Sequence, residues 1–249
     1  MSFLAALRFL TSIPTPWWRG ASRKEFAGSL PYYPVIGLLI GLLLAAIYWL
    51  TSSFLPIWVS SAVIVTALVI ITGGMHLDGL IDAIDGAAAS HKDSDIGKDV
   101  MKKPGIGAFG AVAAILVLVL KIVLVASIPD EWMAASLIMM PVVSRWTMVY
   151  TIFAYPYARP QGAGNELKQA TTRRVFLIAT AVTLSIAIVI DGWASLALII
   201  PVWLFTIIAA NYFRRRFSGL TGDTYGAISE MAEVLILMII VLISFNRWL

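Results

Sequence analysis

The sequence predicts an all-α integral membrane protein, a polytopic helical bundle of about seven transmembrane helices with short interfacial helices. Of its 249 residues, 60% are hydrophobic and only 13% are charged, whereas soluble domains are usually about one quarter charged. The apolar residues also fall into separate segments near the length of about 20 residues that a helix needs to cross a bilayer. A single large soluble core would not divide the chain in this way.

Seven apolar segments define the predicted spans, two of them short at about 16 residues. In chain order they are roughly Tyr33–Leu50, Ile57–Met75, Phe109–Ser127, Trp132–Phe153, Val175–Ile190, Trp193–Tyr212 and Val234–Leu249. The preceding segment, Met1–Ile13, is too short to span and is predicted to form an interfacial or re-entrant helix packed on the bundle. Residues 1–249 are assigned to one domain, since no strong internal repeat is present.

Lysine and arginine fall on every second connection between these spans. The connections 15–32, 76–108, 154–174 and 213–233 carry them, whereas 51–56, 128–131 and 191–192 carry none. Because basic residues favour cytoplasmic loops, the long basic connections are predicted to face the cytoplasm.

Composition also limits the function. The absence of cysteine excludes disulfides and thiolate metal sites. The net charge of +4 is explained by the basic connections, so it does not indicate binding to nucleic acid. Nearly all chemically capable side chains lie on the predicted inner side, which argues against a transport path. The predicted class is an enzyme embedded in the lipid bilayer and working at its cytoplasmic face.

An acidic motif follows the second apolar segment. In the stretch TGGMHLDGLIDAIDG, Asp78, Asp82 and Asp85 stand at i, i+4 and i+7, so in a helix they share one face. Carboxylates at this spacing repel one another, and a divalent cation relieves the repulsion. Oxygen ligands suit Mg²⁺. The three aspartates are therefore predicted to bind Mg²⁺, with a solvated helix end as the alternative.

Two further residues are candidates for catalysis. His76 lies beside the acidic stripe but on the other side of the predicted helix. It is interpreted as a general base, a donor to phosphate or an ordinary interfacial histidine. Arg145, in PVVSRW, lies inside the fourth span, where a charge is costly unless it meets a carboxylate or a phosphate. Structural pairing and ligand binding are equally compatible with its position.

Glycine-rich turns on the inner side supply candidate substrate-binding residues. Lys102 lies in a segment rich in lysine and glycine, for which contact with anionic lipid is the alternative. Arg159 lies in ARPQGAG. Together with metal-bridging acids, basic residues in glycine turns are typical of phosphoryl transfer, which depends on charge neutralisation and positioning.

A second acidic block, TGDTYGAISEMAE, contributes Asp223, Glu230 and Glu233 as further candidates for substrate binding. They are predicted at the inner mouth of the last span, at the depth of the aspartate stripe. There they would complete a second cation site or orient Arg145. The alternative is that acids are simply favourable near a helix N-terminus.

The order of these motifs resembles the adenosylcobinamide-GDP ribazoletransferase family, also called cobalamin 5′-phosphate synthases. The blocks are RFLTSIPTP, YYPVIGLLIG, TGGMHLDGLIDAIDG, the pair Ser144–Arg145, ARPQGAG and TGDTYGAISEMAE, and together they extend over most of the chain. The acidic block combined with the last block is the specific feature. The segment Lys102–Gly110 departs from the family pattern, because it keeps the lysine and the glycines of that block but lacks its acid, serine and arginine.

The resemblance implies two substrates, adenosylcobinamide-GDP and α-ribazole or its 5′-phosphate. A ribose hydroxyl attacks the phosphate on the cobinamide aminopropanol, GMP leaves, and adenosylcobalamin or its 5′-phosphate forms, late in cobalamin biosynthesis. It further implies Mg²⁺ on the three aspartates, proton removal by His76 or an acid, and charge neutralisation by Arg145, Arg159 and Lys102. The expected location is a prokaryotic plasma membrane, and a homo-oligomer is compatible with such a bundle.

Two other functions compete with this interpretation. A Mg²⁺-dependent phosphotransferase of the CDP-alcohol type also uses membrane aspartates, but Asp82 stands near where its Ala-Arg pair is expected, and the later spacing here is too compressed. A transporter is the alternative from a different class.

Overall fold

A computed structural model describes residues 2–15, 22, 25–26, 28–90, 94–101, 105–160 and 162–246. Its α-helices are α1 (Ser2–Leu10), α2 (Tyr33–Ser52), α3 (Ile57–Thr72), α4 (Met75–Ala89), α5 (Ser94–Val100), α6 (Ala108–Ala126), α7 (Asp130–Ala154), α8 (Ala163–Ala170), α9 (Arg173–Asp191), α10 (Ser195–Phe217) and α11 (Gly222–Asn246). Short 3₁₀ turns precede α2 and α10. The described ranges contain no β-strand, so the predicted all-α class is confirmed.

Six of the described helices, α2, α6, α7, α9, α10 and α11, are each long and apolar enough to cross a membrane. Helices α3 and α4 pass the same test only as a pair, and their axes are bent by 87°. The predicted seven spans are therefore found if the bent pair counts as one. The bend falls at Gly73 and Gly74, whose φ angles of 63° and 67° are left-handed and cost glycine little.

Helix α7 forms the centre of the bundle, since 83% of its most apolar window is buried. Helix α2 approaches it closely at two glycines. A Cβ atom on Gly37 would lie 2.5 Å from the Pro141 carbonyl oxygen, and one on Gly41 would lie 2.5 Å from the Ile138 Cα. Small residues four apart allow this kind of close packing between transmembrane helices. The contact fixes α7, and with it Arg145, in the middle of the protein.

The N-terminal segment forms the predicted short helix on the bundle. Helix α1 buries Ala5, Ala6 and Leu10. Just after it, the Ser12 hydroxyl donates a hydrogen bond to the Ile70 carbonyl at 2.6 Å, and the Ser12 amide donates to a neighbouring carbonyl at 2.7 Å. These bonds hold α1 at the end of the bundle where α3 breaks and the acidic motif begins.

The last helix begins earlier than predicted. The sequence analysis places its start at Val234, but α11 starts at Gly222, so the second acidic block forms its first turns. Glu230 and Glu233 are only 6% and 0% exposed, so they are buried inside the bundle. Their burial is not visible in the sequence, because the basic side chains that neutralise them lie on other helices.

Two of the predicted inner connections meet in space. The Ala158 amide donates to the Leu220 carbonyl at 2.8 Å, and the Leu220 amide donates to the Pro156 carbonyl at 2.9 Å. These bonds join the segment after α7 to the turn before α11. They place Arg159 next to the first residues of α11.

Candidate active site

The site is built where α4 crosses α11 at very short range. A Cβ atom on Gly79 would lie 2.8 Å from the Asp223 carbonyl oxygen, and one on Gly226 would lie 3.1 Å from the His76 Cα. Side chains at these two glycines would therefore push the helices apart. Gly79 and Gly226 thus serve helix packing. The consequence is that the acids of both motifs come together.

The aspartates of α4 lie on a helix, as predicted. Asp78 is exposed, and Asp82 and Asp85 are half-buried. The carboxylates of Asp223, Asp78 and Asp85 all lie near enough to Asp82 to repel its negative charge. The arrangement therefore concentrates negative charge around Asp82, as predicted from the spacing of the motif.

The predicted grouping of three aspartates around one ion is not seen. Among the described residues, no set of three or more histidine or acidic side chains is placed to hold a metal ion. Asp85 accepts hydrogen bonds from the amides of Gly107 and Gly110, both at 2.8 Å. Its carboxylate thus satisfies free amides at the start of α6. The Mg²⁺ ion stays a prediction.

The same contact explains why glycines stand at 107 and 110. A Cβ atom on Gly107 would lie 2.6 Å from the carboxyl carbon of Asp85, and one on Gly110 would lie 2.7 Å from the Ile81 carbonyl oxygen. The sequence analysis places these glycines in the segment of Lys102, a candidate for substrate binding. In the structure they make room for a carboxylate instead. Lys102, in the same segment, lies outside the described residues.

Arg159 and Asp223 form the charged pair at the site. The Arg159 Nη2 donates to the Asp223 carboxylate at 3.2 Å, and the side chains are 24% and 26% exposed. Thr221 also donates to this carboxylate, at 3.3 Å. Both predicted residues therefore face the region of Asp78 and Asp82. An arginine that keeps part of its surface open can still bind a phosphate bidentately.

His76 is buried at the bottom of a cavity of about 310 Å³, whose walls also include Asp78, Arg159 and Asp223. The histidine is only 1% exposed, and neither ring nitrogen has a hydrogen-bond partner among the described residues. A neutral imidazole offers one donor and one acceptor. Helix α4 contains His76, and of the three aspartates of the acidic motif only Asp78 lines the same cavity as the histidine.

A buried ionic network lies between α6, α7 and α11. The Lys121 ammonium donates to Glu230 at 2.5 Å and also pairs with Glu233. Glu233 in turn pairs with Arg145, and Ser144 donates to it at 3.2 Å. Two cations therefore balance two anions in the apolar interior, which is the condition for burying charge.

This network contains one of the two options for Arg145, structural pairing, while ligand binding stays a prediction. Its guanidinium meets Glu233, so the glutamate orients the arginine, one of the predicted possibilities. The Arg145 Nε and Nη2 atoms have no hydrogen-bond partner among the described residues. Lys121 has no role in the sequence analysis, although a lysine inside an apolar span is itself a signal that a carboxylate faces it.

A second cavity, of about 500 Å³, opens on the other side of the aspartates. Asp82 and Asp85 line it together with the segment Gly105–Phe109. Asp82 therefore faces this cavity, while Asp78 faces the cavity of His76. The acidic stripe therefore borders both cavities, each large enough for a small-molecule group.

Comparison with known proteins identifies a family. The family described as cobalamin-5-phosphate synthase matches residues 2–241. A protein of Roseiflexus sp. (strain RS-1) named adenosylcobinamide-GDP ribazoletransferase is 38% identical over 93% of this chain and 86% of its own. Proteins with the same name from Desulfitobacterium hafniense and Pseudomonas putida (strain GB-1) are 34% and 33% identical over 94% and 96% of this chain, and over 93% and 97% of their own. No solved structure matches the chain.

Proposed function

The chain belongs to the cobalamin-5-phosphate synthase family, and from this premise we propose its reaction. It transfers the cobinamide-phosphate moiety of adenosylcobinamide-GDP to a ribose hydroxyl of α-ribazole or its 5′-phosphate. The names of the relatives support the donor and the transfer. The observation that carries the proposal is the crossing of α4 and α11, which gathers Asp78, Asp82, Asp223 and Arg159 at two adjoining cavities. Family membership does not favour a CDP-alcohol phosphotransferase or a transporter.

The reaction exchanges one phosphorus–oxygen bond for another. The ribose oxygen bonds to the phosphorus that carries the cobinamide aminopropanol, and the bond from that phosphorus to the bridging oxygen of the diphosphate breaks. The electron pair leaves with GMP, and the hydroxyl proton passes to a base. His76 or an aspartate accepts this proton, because these are the basic groups that line the two cavities.

The acidic residues fit a Mg²⁺ ion by their chemistry. Mg²⁺ commonly takes one or two carboxylates, with waters and substrate phosphate oxygens completing its coordination. Asp78 and Asp82 would hold the ion, while Asp85 keeps the start of α6 in place. When bound, the ion supplies positive charge to the diphosphate. The crowding of the Asp78, Asp85 and Asp223 carboxylates around Asp82 supports this assignment.

The arginines act at different distances from the substrate. Arg159 lines the cavity of His76, and its side chain is 24% exposed. It is therefore available to bind a phosphate oxygen. Arg145 is fully buried and bound to Glu233. Its positive charge favours negative charge near His76 by a long-range electrostatic interaction through the low-dielectric interior, without contact with the substrate.

The proposed location is a prokaryotic plasma membrane with the site facing the cytoplasm, in line with the basic connections. The chain has no cysteine, so single cysteines can report its orientation. We expect a membrane-impermeant maleimide to label Ser53→Cys in intact cells, because Ser53 is exposed in a connection without basic residues. Ile106→Cys, 69% exposed on the opposite side, should react only after permeabilisation. The reverse pattern of labelling would place the site outside.

The proposed reaction is tested by the release of GMP. We expect the purified chain to release GMP from adenosylcobinamide-GDP only when α-ribazole and Mg²⁺ are both present, with one adenosylcobalamin formed for each GMP. Omission of α-ribazole distinguishes transfer from hydrolysis, and addition of EDTA tests the metal. Failure to form adenosylcobalamin under the complete conditions would contradict the proposal.

A further inference from the structure

The cavity of His76 has the size of a small ligand. Its volume of about 310 Å³ is at the lower end of the range for small-molecule sites, about 300–1,000 Å³. A whole corrinoid does not fit such a space, whereas the base and ribose of a nucleoside do. The cavity therefore accommodates a part of one substrate only.

Most of its inner wall is apolar and aromatic. Phe9, Met148 and Ile152 line the cavity, together with Tyr157 and Tyr225. The two tyrosine rings are stacked, with centroids 6.3 Å apart and planes inclined by 28°. A flat aromatic base gains from stacking on such rings and from leaving water.

Few polar groups are available in the depth of the cavity. The Tyr225 hydroxyl and both His76 nitrogens are buried without a hydrogen-bond partner among the described residues, in side chains that are 2% and 1% exposed. Buried polar groups of this kind are normally paired. They can serve a base that has one or two polar atoms, and they cannot serve one that has many.

We propose that this cavity binds the base of the nucleoside acceptor against Tyr225 and His76, with the ribose near Asp78, Arg159 and Asp223. In this arrangement the ribose proton passes to an aspartate rather than to His76. This inference rests on the proposed function. The base of α-ribazole is an alkylated benzimidazole, which has one free ring nitrogen and is otherwise apolar. Guanine, the base of the leaving group, carries more polar atoms than the Tyr225 hydroxyl and the two His76 nitrogens can pair, so binding it in the same place would cost free energy. The guanosine portion of the donor therefore lies outside it.

Gly222, an exposed residue of the lining, gives a way to obstruct the cavity at its edge. It lines the cavity, and a Cβ atom built on it meets no other atom within 4 Å. The Cβ atom of a larger side chain at this position would therefore not clash with the protein. Gly222→Ala also replaces the glycine by a residue with a Cβ atom, but it leaves most of the space open. It is therefore the matched control for Gly222→Phe.

The test is calorimetric binding of α-ribazole to the full chain in detergent, without adenosylcobinamide-GDP and without Mg²⁺. We expect Gly222→Phe to weaken binding at least about tenfold relative to Gly222→Ala. We expect Tyr225→Phe to weaken it about three- to tenfold, the usual contribution of one hydrogen bond. Tyr155→Phe is its control, because Tyr155 is also buried but its hydroxyl contacts Ile207 and Asn211, outside the cavity. Guanosine should bind more weakly than α-ribazole.

Equal binding of α-ribazole by the two Gly222 variants would overturn the inference, as would guanosine binding as tightly as α-ribazole. These outcomes are separate from the test of the reaction, since no donor or metal is present. If α-ribazole binds more weakly to Gly222→Phe than to Gly222→Ala, the inference is supported even when GMP release is not found. If α-ribazole binds equally to the two variants, the inference is contradicted even when GMP is released.

Discussion

We expect the Asp82→Asn variant to form adenosylcobalamin at least about 100-fold more slowly than the wild type, the usual cost of losing one preorganised electrostatic group. Asp82 is the carboxylate on which the charges of Asp78, Asp85 and Asp223 converge. The substitution removes one negative charge and one proposed metal ligand while keeping the shape of the side chain. Because the proposed ion neutralises the diphosphate, its weaker binding lowers the rate of transfer. Initial rates of GMP release across a series of Mg²⁺ concentrations measure this effect.

Asp95→Asn is the matched control for Asp82→Asn. Asp95 lies on α5, and its 77% exposed side chain pairs with Lys98 at 2.6 Å. An exposed pair of this kind contributes little to stability, so the control should keep the rate of the wild type. The Asp82 variant should also need a higher Mg²⁺ concentration for half-maximal activity. If it retained more than half of the wild-type rate at every Mg²⁺ concentration, the role of Asp82 would be refuted.

We expect Lys121→Met to destabilise the fold by about 3–5 kcal/mol, the usual cost of leaving a buried charge without its partner. Lys121 is 1% exposed and neutralises Glu230 and Glu233. With Arg145 as the remaining cation, the variant would bury two carboxylates against one positive charge. A loss of this size lowers the thermal unfolding midpoint by about 6–20 °C in a chain of this length, measured in detergent by circular dichroism.

Two further variants make the Lys121 prediction specific to charge. In Lys121→Met combined with Glu230→Gln, one cation and one anion are removed together, so the network is neutral again and part of the lost stability should return. Lys98→Met breaks the exposed pair with Asp95 and should shift the midpoint little. A double variant that is less stable than Lys121→Met alone would show that packing, rather than charge balance, sets the cost.

The positions of the helices follow from the sequence, because the length and polarity of a segment are local properties. The predicted segment Trp132–Phe153 lies within α7, and Val175–Ile190 lies within α9. The helical acidic motif could be predicted for the same reason, since its spacing is read along one element. The start of α11 could not, because Glu230 and Glu233 interrupt the apolar pattern that marks a span.

The sequence by itself determined that this protein is a bundle of membrane-spanning helices with an acidic motif at the end of one of them. Only the tertiary structure decided which charges meet. Lys121 and Glu230 are separated by 109 residues and Asp85 and Gly107 by 22, so neither contact is visible in a local pattern. The physical reason is that a charge or a free amide in a low-dielectric interior must be neutralised by whatever group packing brings near it. Which group lies near depends on where glycines allow two helices to pack closely, and this is a property of the whole fold.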